Sequence, residues 1–339
     1  MRIRFCGDFL PSRGFDPGEC FEQGELRIVN LECALRVAGG GTPAKAHLAL
    51  ADEADLEPLE RGLFSAVCLA NNHSLDARVE GLRRLLERLA RIPELAIFGT
   101  RDVPHATLGG VAIIGCIERC RSRGALLFPE EDAEQLVRQL ARTHDQVVVY
   151  PHWGKEGEFT PWPSPWQRHL AARWIGAGAS AVIGHHAHLV QGCEEVGGRP
   201  VWYSIGNLHF DHPECRSYPG TRLGKTVVLD LAGPACRWED QLHVARGRTL
   251  ARLDEHAAAR REARLRRLAG QYQDMGAWRW ARRVGPGYLA KSRRSWAQRF
   301  RKSPSRALPL WLAWNMMPRT LLLRLGALAR AAESPWGTR

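Results

Sequence analysis

The sequence predicts a layered α/β domain, and three observations carry that prediction. Apolar runs of strand length recur through residues 1–247, among them RIRFC, LRIVN, LFSAVCLA, VAIIGC and QVVVY. Between them lie DARVEGLRRLLERLARI and EDAEQLVRQLARTHD, with leucines and other apolar residues at the spacing of amphipathic helices. After this alternation the region ends in a strand-rich stretch, as expected of a sheet covered by helices. Strands that are apolar throughout are buried on both faces, and such sheets take ligands beyond the carboxyl ends of their strands.

Composition narrows the class. A chain of 339 residues suits one large domain with an appendage, or two domains, and 45% hydrophobic with 25% charged residues is ordinary for a globular protein. Nine cysteines, an odd number without CxxC pairs, do not form a disulfide framework; Cys6, Cys33 and Cys68 sit in apolar strand patterns and read as small core residues in a reducing compartment. The opening MRIRFCGD enters a strand at once, and no charge-free apolar run is long enough to cross a bilayer. A cytoplasmic location without signal peptide or transmembrane helix is therefore expected. The net charge of +12 is uneven: 23 of the 48 Lys+Arg but only 7 of the 36 Asp+Glu fall in residues 236–339, a net +16 there against −4 in the rest.

In chain order, RIRFC ends at Gly7-Asp8, which places Asp8 in the loop after the first strand, with Arg13 beyond it. LRIVN delivers Asn30 and Glu32. A Gly39-Gly40-Gly41 loop follows, then Lys45 and His47 lead into AHLAL. LFSAVCLA breaks into NNHSLD, so Asn71, Asn72, His73 and Asp76 precede the first long helix, and Asp76 stands where a helix N-cap is expected. LAIFG and VAIIGC are further strands. QVVVY opens into PHWG with His152, and SAVI opens into GHHAH with His185, His186 and His188. Between these two, SPWQRHLAARWIGAG is a helix with Ser164 as cap, Pro165 at its first position and Gly176/Gly178 at its end. LVQGCEEV, a GGRP turn and VWYSIGNLHFD form a hairpin; KTVVLDL is a last strand, beside which CRWEDQLHVARG can pair.

Five strand ends thus supply Asp8, Glu32, Asn72 with His73, His152, and His186 with His188. Each histidine alone has a bland reading as a hydrogen-bonded residue at a strand end. Together they match the ligands that two neighbouring divalent metals need, since neutral imidazole suits transition metals and carboxylates balance their charge. His185 reads as a neighbour of the ligands, and His47, His105, His144, His169, His243 and His256 as structural or surface residues; His209 and His212 lie near the site in sequence, with nothing further to support them.

The ordered motifs GD-F-L-P-S-R, NLE, LANNHSLD, HWG, GHHAHLVQG and YSIGNLHFD resemble the bacterial capsule synthesis CapA, or poly-gamma-glutamate biosynthesis, family, which is related to the calcineurin-like metallophosphatases. The resemblance covers residues 3 to about 230. It implies that the layered domain, residues 1–247 by its strand and helix pattern, is a four-layer α/β/β/α sandwich of metallophosphatase type with a centre for two divalent ions (Mn, Fe or Zn); residues 248–339, which it does not cover, read by composition as a basic, mostly helical extension. It further implies Asp8, Glu32 and His188 on one ion, with Glu32 shared and Asn72, His152 and His186 on the other. His73, oriented by Asp76, is the implied proton donor; Arg13 and Lys45 are candidates for gripping an anionic substrate, and Asn207 and Asp211 for hydrogen bonds behind the ligands. One departure matters: the wider phosphatase pattern begins Asp-x-His, and position 10 here is Leu10. The implied activity is metal-dependent hydrolysis of a phosphoester or an amide; the alternative is a non-catalytic capsule or exopolymer subunit that binds an anionic polymer or partner proteins.

The extension mixes arginine and tryptophan with apolar residues, and three readings compete: an interfacial segment on an anionic membrane, which fits best, a nucleic-acid surface, or a helical subdomain packed on the body; an anionic polymer would also suit the charge. No nucleic-acid motif accompanies the arginines, so nucleic acid is not an expected partner.

Overall fold

The computed structural model describes residues 1–38, 47–118, 126–218, 220–231 and 237–302. In chain order the strands are β1 (Arg2–Phe9), β2 (Leu26–Leu31), β3 (Ala34–Leu35), β4 (Leu50–Ala51), β5 (Ala66–Cys68), β6 (Ala96–Phe98), β7 (His105–Leu108), β8 (Val111–Ile117), β9 (Gln146–His152), β10 (Ala181–Ile183), β11 (Cys193–Val196), β12 (Arg199–Trp202), β13 (Asn207–His209), β14 (Leu223–Asp230), β15 (Arg237–Arg246) and β16 (Thr249–Arg252). The helices are α1 (Glu57–Glu60), α2 (Arg78–Leu89), α3 (Glu130–Leu140), α4 (Pro165–Ala177), α5 (Pro213–Arg216), α6 (Glu255–Ala269) and α7 (Ala277–Lys302).

Two sheets form the centre. The first runs β16-β15-β14-β1-β2-β5-β6 with β13 also on β1, the second β11-β12-β10-β9-β8-β7, and β3-β4 is a separate pair. Strands β1, β2, β5 and β6 are mutually parallel, as are β8, β9, β10 and β12, so each sheet gathers several carboxyl ends on one rim.

The period-2 geometry of the strands sorts the second sheet's side chains into two cores. Ile113, Val148, Tyr150, Ile183 and Trp202 join Ile3, Phe5, Ile28 and Val67 of the first sheet in one apolar cluster between the sheets. Their neighbours Ala112, Ile114, Val147, Val149, Val182 and Val201 face the other way, onto Ala133 and Val137 of α3 and Leu170 and Trp174 of α4. Leu82, Leu85 and Leu89 of α2 pack into the cluster of the first sheet. The result is the expected α/β/β/α sandwich.

Local chemistry explains the helix ends. Ser164 caps α4 in a reciprocal capping box with Gln167, Pro165 opens the helix, and Gly178 closes it at φ 116°. Two expectations are corrected. Residue Ala77, not Asp76, is the N-cap of α2, and no side chain caps it, because Asp76 is turned to His73 instead. VWYSIGNLHFD is not one strand: β12 pairs in the second sheet while β13 pairs β1 in the first, the chain crossing between them at Gly206 with φ 69°. Where β1 meets β13, a Cβ on Gly7 would run into the Gly206 carbonyl, so that crossing point needs glycine.

Beyond residue 247, β16 adds to the first sheet and α6 and α7 pack on the body. Tyr272 is buried in the core of the second sheet, donates to the Pro161 carbonyl at 3.0 Å and accepts from the Gly192 N–H at 2.8 Å; Trp280 is buried and donates to the Trp162 carbonyl at 3.2 Å. No helix of the described residues is long and apolar enough to cross a membrane. Residues 303–339, with the second half of the Arg/Trp-rich stretch, lie outside the described residues.

Candidate metal centre

The rim where the carboxyl ends collect carries a buried cluster of carboxylates and imidazoles. Asp8 comes from β1, Glu32 follows β2, His152 ends β9, and His185, His186 and His188 follow β10; Asp8 and Glu32 are 0% exposed and none of these histidines exceeds 3%. Ligand atoms converge within 4.8 Å in three groups: Asp8 with His152 and His185, Glu32 with His152 and His186, and Asp8 with Glu32 and His188. Asn72 joins them, its Oδ1 2.8 Å from His152 Nε2.

The donor set fits divalent transition metals. No Lys or Arg among the described residues pairs with Asp8; the ring nitrogens of His152, His185 and His188 lie 3.5–3.7 Å from it. Burial of such a carboxylate costs several kcal/mol without a compensating cation. The buried ring atoms His185 Nε2 and His186 Nδ1 have no hydrogen-bond partner among the described residues. Burial, joined by neighbouring imidazoles, pushes the pKa values of His185 and His186 well below the usual range, which keeps them neutral as metal coordination requires.

The surroundings fix the cluster's orientation. Asp8 accepts the Asn30 amide at 2.8 Å and the His186 backbone N–H at 2.9 Å. Asn71 Oδ1 receives the N–H groups of His73 and Ser74 and the Ser74 hydroxyl, while its own amide bonds Asn30 Oδ1 at 3.1 Å. His186 and His188 hold φ of 92° and 56°, a region non-glycine residues seldom occupy and one that recurs at functional sites. Asn207 donates to the Thr221 carbonyl at 2.9 Å, so its Oδ1, 2.8 Å away, accepts His188 Nδ1–H.

His73 lies beside the cluster. Its Nδ1 is 2.5 Å from Asp76 Oδ2, which also takes the Ala49 N–H at 2.8 Å, and its Nε2 is 3.8 Å from Glu32 Oε1.

Of the remaining expected site residues, Asp211 is exposed and forks onto Arg216 at 2.6 and 2.7 Å; its side chain points to the surface, while its neighbours Phe210 and His212 are buried against His188 and His73. Arg13 is exposed, and its backbone N–H is 3.4 Å from Asp55. Lys45 lies outside the described residues.

Sequence reasoning gave no site role to Asn30 and Asn71, although both flank motif residues, nor to Glu158. Glu158 Oε1 stands 3.9 Å from His188 Nε2, and its other oxygen is bonded to Lys291 of α7. Burial alone would raise the Glu158 pKa, but Lys291, followed by His186 and His188, pulls it far below the usual carboxylate range. No signal in the sequence links residues 158 and 291, which meet only through the docking of α7. His185, expected to be a neighbour, has Nδ1 3.1 Å from His152 Nδ1 and 3.6 Å from Asp8, within ligand range.

These features define a layered α/β/β/α protein with a carboxylate–imidazole centre at the rim of both sheets. The chain belongs to the bacterial capsule synthesis protein PGA_cap family, which residues 3–107 and 118–212 match. It is similar to the PGA biosynthesis protein CapA of Bacillus subtilis, with 29% identity over 166 residues (44% of this chain, 43% of the relative). It is also similar to the capsule biosynthesis protein CapA of Bacillus anthracis, with 28% identity over 214 residues (55% and 51%). The chain thus spans about half the length of these curated relatives. Among solved structures it aligns with a 5'-nucleotidase precursor from Thermus thermophilus at TM-score 0.42 and 16% identity (71% of this chain, 54% of the other). The NAD nucleotidase of Haemophilus influenzae aligns at 0.38 and 15% (76% and 61%).

Proposed function

We propose that the chain is a metal-dependent hydrolase, a phosphoesterase in first place, acting in a capsule or exopolymer pathway. The observation that carries this reading is the convergence of three carboxylate–imidazole groups that share Asp8, Glu32 and His152. Asp8, Glu32 and His188 would hold one divalent ion; Glu32, shared, would hold a second with Asn72, His152 and His186. Ions bound there supply Lewis acidity, which activates water and neutralises charge on a phosphoryl or carbonyl oxygen.

The chain's own residues would do the rest. Asn30, braced by Asn71, orients Asp8, and Asn207 orients His188, which keeps these ligands preorganised. His73, with Nδ1–H donated to Asp76, presents Nε2 to the cluster and protonates the leaving group from there. Arg13 and Lys45 are kept as the candidates for gripping an anionic substrate, a capsule-type polymer being the class the family suggests.

A second reading is favoured by Leu10, which stands where an Asp-x-His pattern would place an imidazole: a non-catalytic subunit using the same cleft to bind an anionic polymer. A phosphoesterase and amidase screen with Mn, Fe or Zn, run on wild type and His152→Ala, separates the two. Turnover lost in His152→Ala supports the hydrolase, whereas tight metal binding without turnover of any substrate supports the binding subunit.

We further propose that residues 1–247 form the hydrolase domain and that the basic extension, 248–339, holds a cytoplasmic protein at an anionic membrane face. The net charge of +16 over residues 236–339 supports this. Flotation with vesicles of 30% phosphatidylserine, as the probe, compares the full chain with one ending at Lys302. Equal absence of binding removes the membrane reading.

A further inference from the structure

The metal centre has one weak side, and the structure places a carboxylate next to it. Leu10, at the position of the missing imidazole, packs into a small apolar cluster of Ala49, Phe210 and Cys215, and Phe159 packs into the same cluster. The residue before Phe159 is Glu158, so the loop after β9 brings its carboxylate to the side of the centre on which Leu10 sits.

The atoms at that point have compatible roles. His188 Nδ1 is engaged with Asn207 Oδ1, which leaves Nε2 with the ring's lone pair, and Nε2 is 3.9 Å from Glu158 Oε1. Two ligand atoms bound to one ion at about 2.0–2.2 Å each can be no more than about 4.4 Å apart, so this separation admits a shared ion. The loop is held from both sides: the Phe159 ring stacks on Tyr218 at 3.8 Å and on His188 at 5.4 Å.

Glu158 is in turn held by the C-terminal helix. Lys291 of α7 bonds Glu158 Oε2, lies 3.6 Å from Glu214 and sits 4.9 Å over the Phe159 ring, while Arg294 covers Tyr218 at 5.4 Å. The lysine side chain is only 23% exposed. Because Lys291 takes one carboxylate oxygen, the other is left turned to His188.

We infer that Glu158 is a metal ligand at the His188 side of the centre, substituting for the imidazole that Leu10 lacks, and that Lys291 of α7 is its positioning residue. Residue 291 lies outside the segments that match the family, so α7 completes a site whose other ligands come from the sandwich. This inference rests on the metal centre proposed above.

Isothermal titration of the full-length, metal-stripped protein with Mn²⁺ tests it, with the unfolding temperature of each stripped variant as a check on folding. Wild type is expected to bind two ions. Glu158→Gln should bind one of them at least about 100-fold more weakly, beyond the 10–100-fold that loss of an outer partner of a ligand costs. Adding Leu10→His to Glu158→Gln should restore the second ion, a recovery that a purely structural role for Glu158 does not give. Lys291→Met should weaken the same ion, and Lys291→Arg should retain it. Two ions bound by Glu158→Gln with wild-type affinity overturns the inference while leaving the metal centre intact. Wild type that binds no Mn²⁺ overturns the centre itself, and the inference with it.

Discussion

The backbone N–H of His186 donates to Asp8 Oδ2 at 2.9 Å, across 178 positions of sequence and from one sheet to the other. A single bond thus ties the first strand of one sheet to the histidine loop of its partner and fixes both ligands at once. The strained backbone at His186, φ 92°, is held by contacts of this kind, and the glycine before the loop allows it: a Cβ on Gly184 would collide with the Trp153 ring and the Tyr203 carbonyl.

The pairing of His73 with Asp76 predicts a leaving-group dependence. His73→Ala should lower kcat by about 10²–10⁴-fold for alkyl phosphoesters, whose leaving alkoxide needs a proton. It should lower kcat far less for p-nitrophenyl phosphate, whose leaving group departs as the anion. Asp76→Asn should follow the same pattern in milder form, and Mn²⁺ binding should be unchanged in both. Steady-state kinetics on the two substrate types check this; an equal loss on both contradicts the proton-donor role.

Asn207 predicts an effect on metal affinity without direct ligation. It fixes the His188 ring through Nδ1, and Asn207→Leu should therefore weaken binding of the ion at His188 by about 10–100-fold. Competition with a chromophoric chelator measures the loss, and the far-ultraviolet circular dichroism spectrum should not change.

Stability should fall in acid partly through the Arg4–Glu25 pair. Both side chains are 1% exposed and joined by bonds of 2.6 and 2.7 Å. Burial would raise the Glu25 pKa, but the bonds and charge of Arg4 outweigh it and the net shift is downward from 4.5. A depressed folded-state value means that the stabilisation is present in full above the unfolded pKa near 4.5 and is lost as pH falls through the lower folded value. Glu25→Gln should destabilise by up to about 3 kcal/mol at pH 7, since it removes the carboxylate that takes two bonds from buried Arg4 and leaves Glu22, at 3.8 Å, as the nearest remaining charge. Urea unfolding of the two proteins at pH 7 and pH 3 should show the difference shrinking in acid.

Much of this was legible in the sequence because strand ends are marked by abrupt changes from apolar to polar residues. QVVVY to His152 and SAVI to the GHHAH loop are such changes, and the parallel pairing of β9 and β10 brings them together. The cap at Ser164 was equally visible, since Ser, Pro and Gly act locally. What was not legible depends on side-chain direction or distant packing. Asp76 has the identity and position of an N-cap as well as the place beside His73 that the resemblance implies, and its 2.5 Å contact with His73 is what takes it from the cap. Asp211 follows a motif closely enough to suggest a place behind the ligands, yet its side chain points out to Arg216 while Phe210 and His212 on either side of it point in. Lys291 reaches Glu158 across 133 positions through a helix whose sequence reads simply as basic.

The most direct measurement of the central claim is hydrolysis as a function of bound metal. Protein stripped by a chelator is titrated with Mn²⁺ while occupancy and turnover of the best substrate from the screen are followed together, for wild type and His152→Ala. The metal-dependent hydrolase predicts no turnover in the stripped protein, activity that rises as the second ion fills, and neither full occupancy nor activity in His152→Ala. Turnover that persists without metal, or that His152→Ala retains, contradicts it.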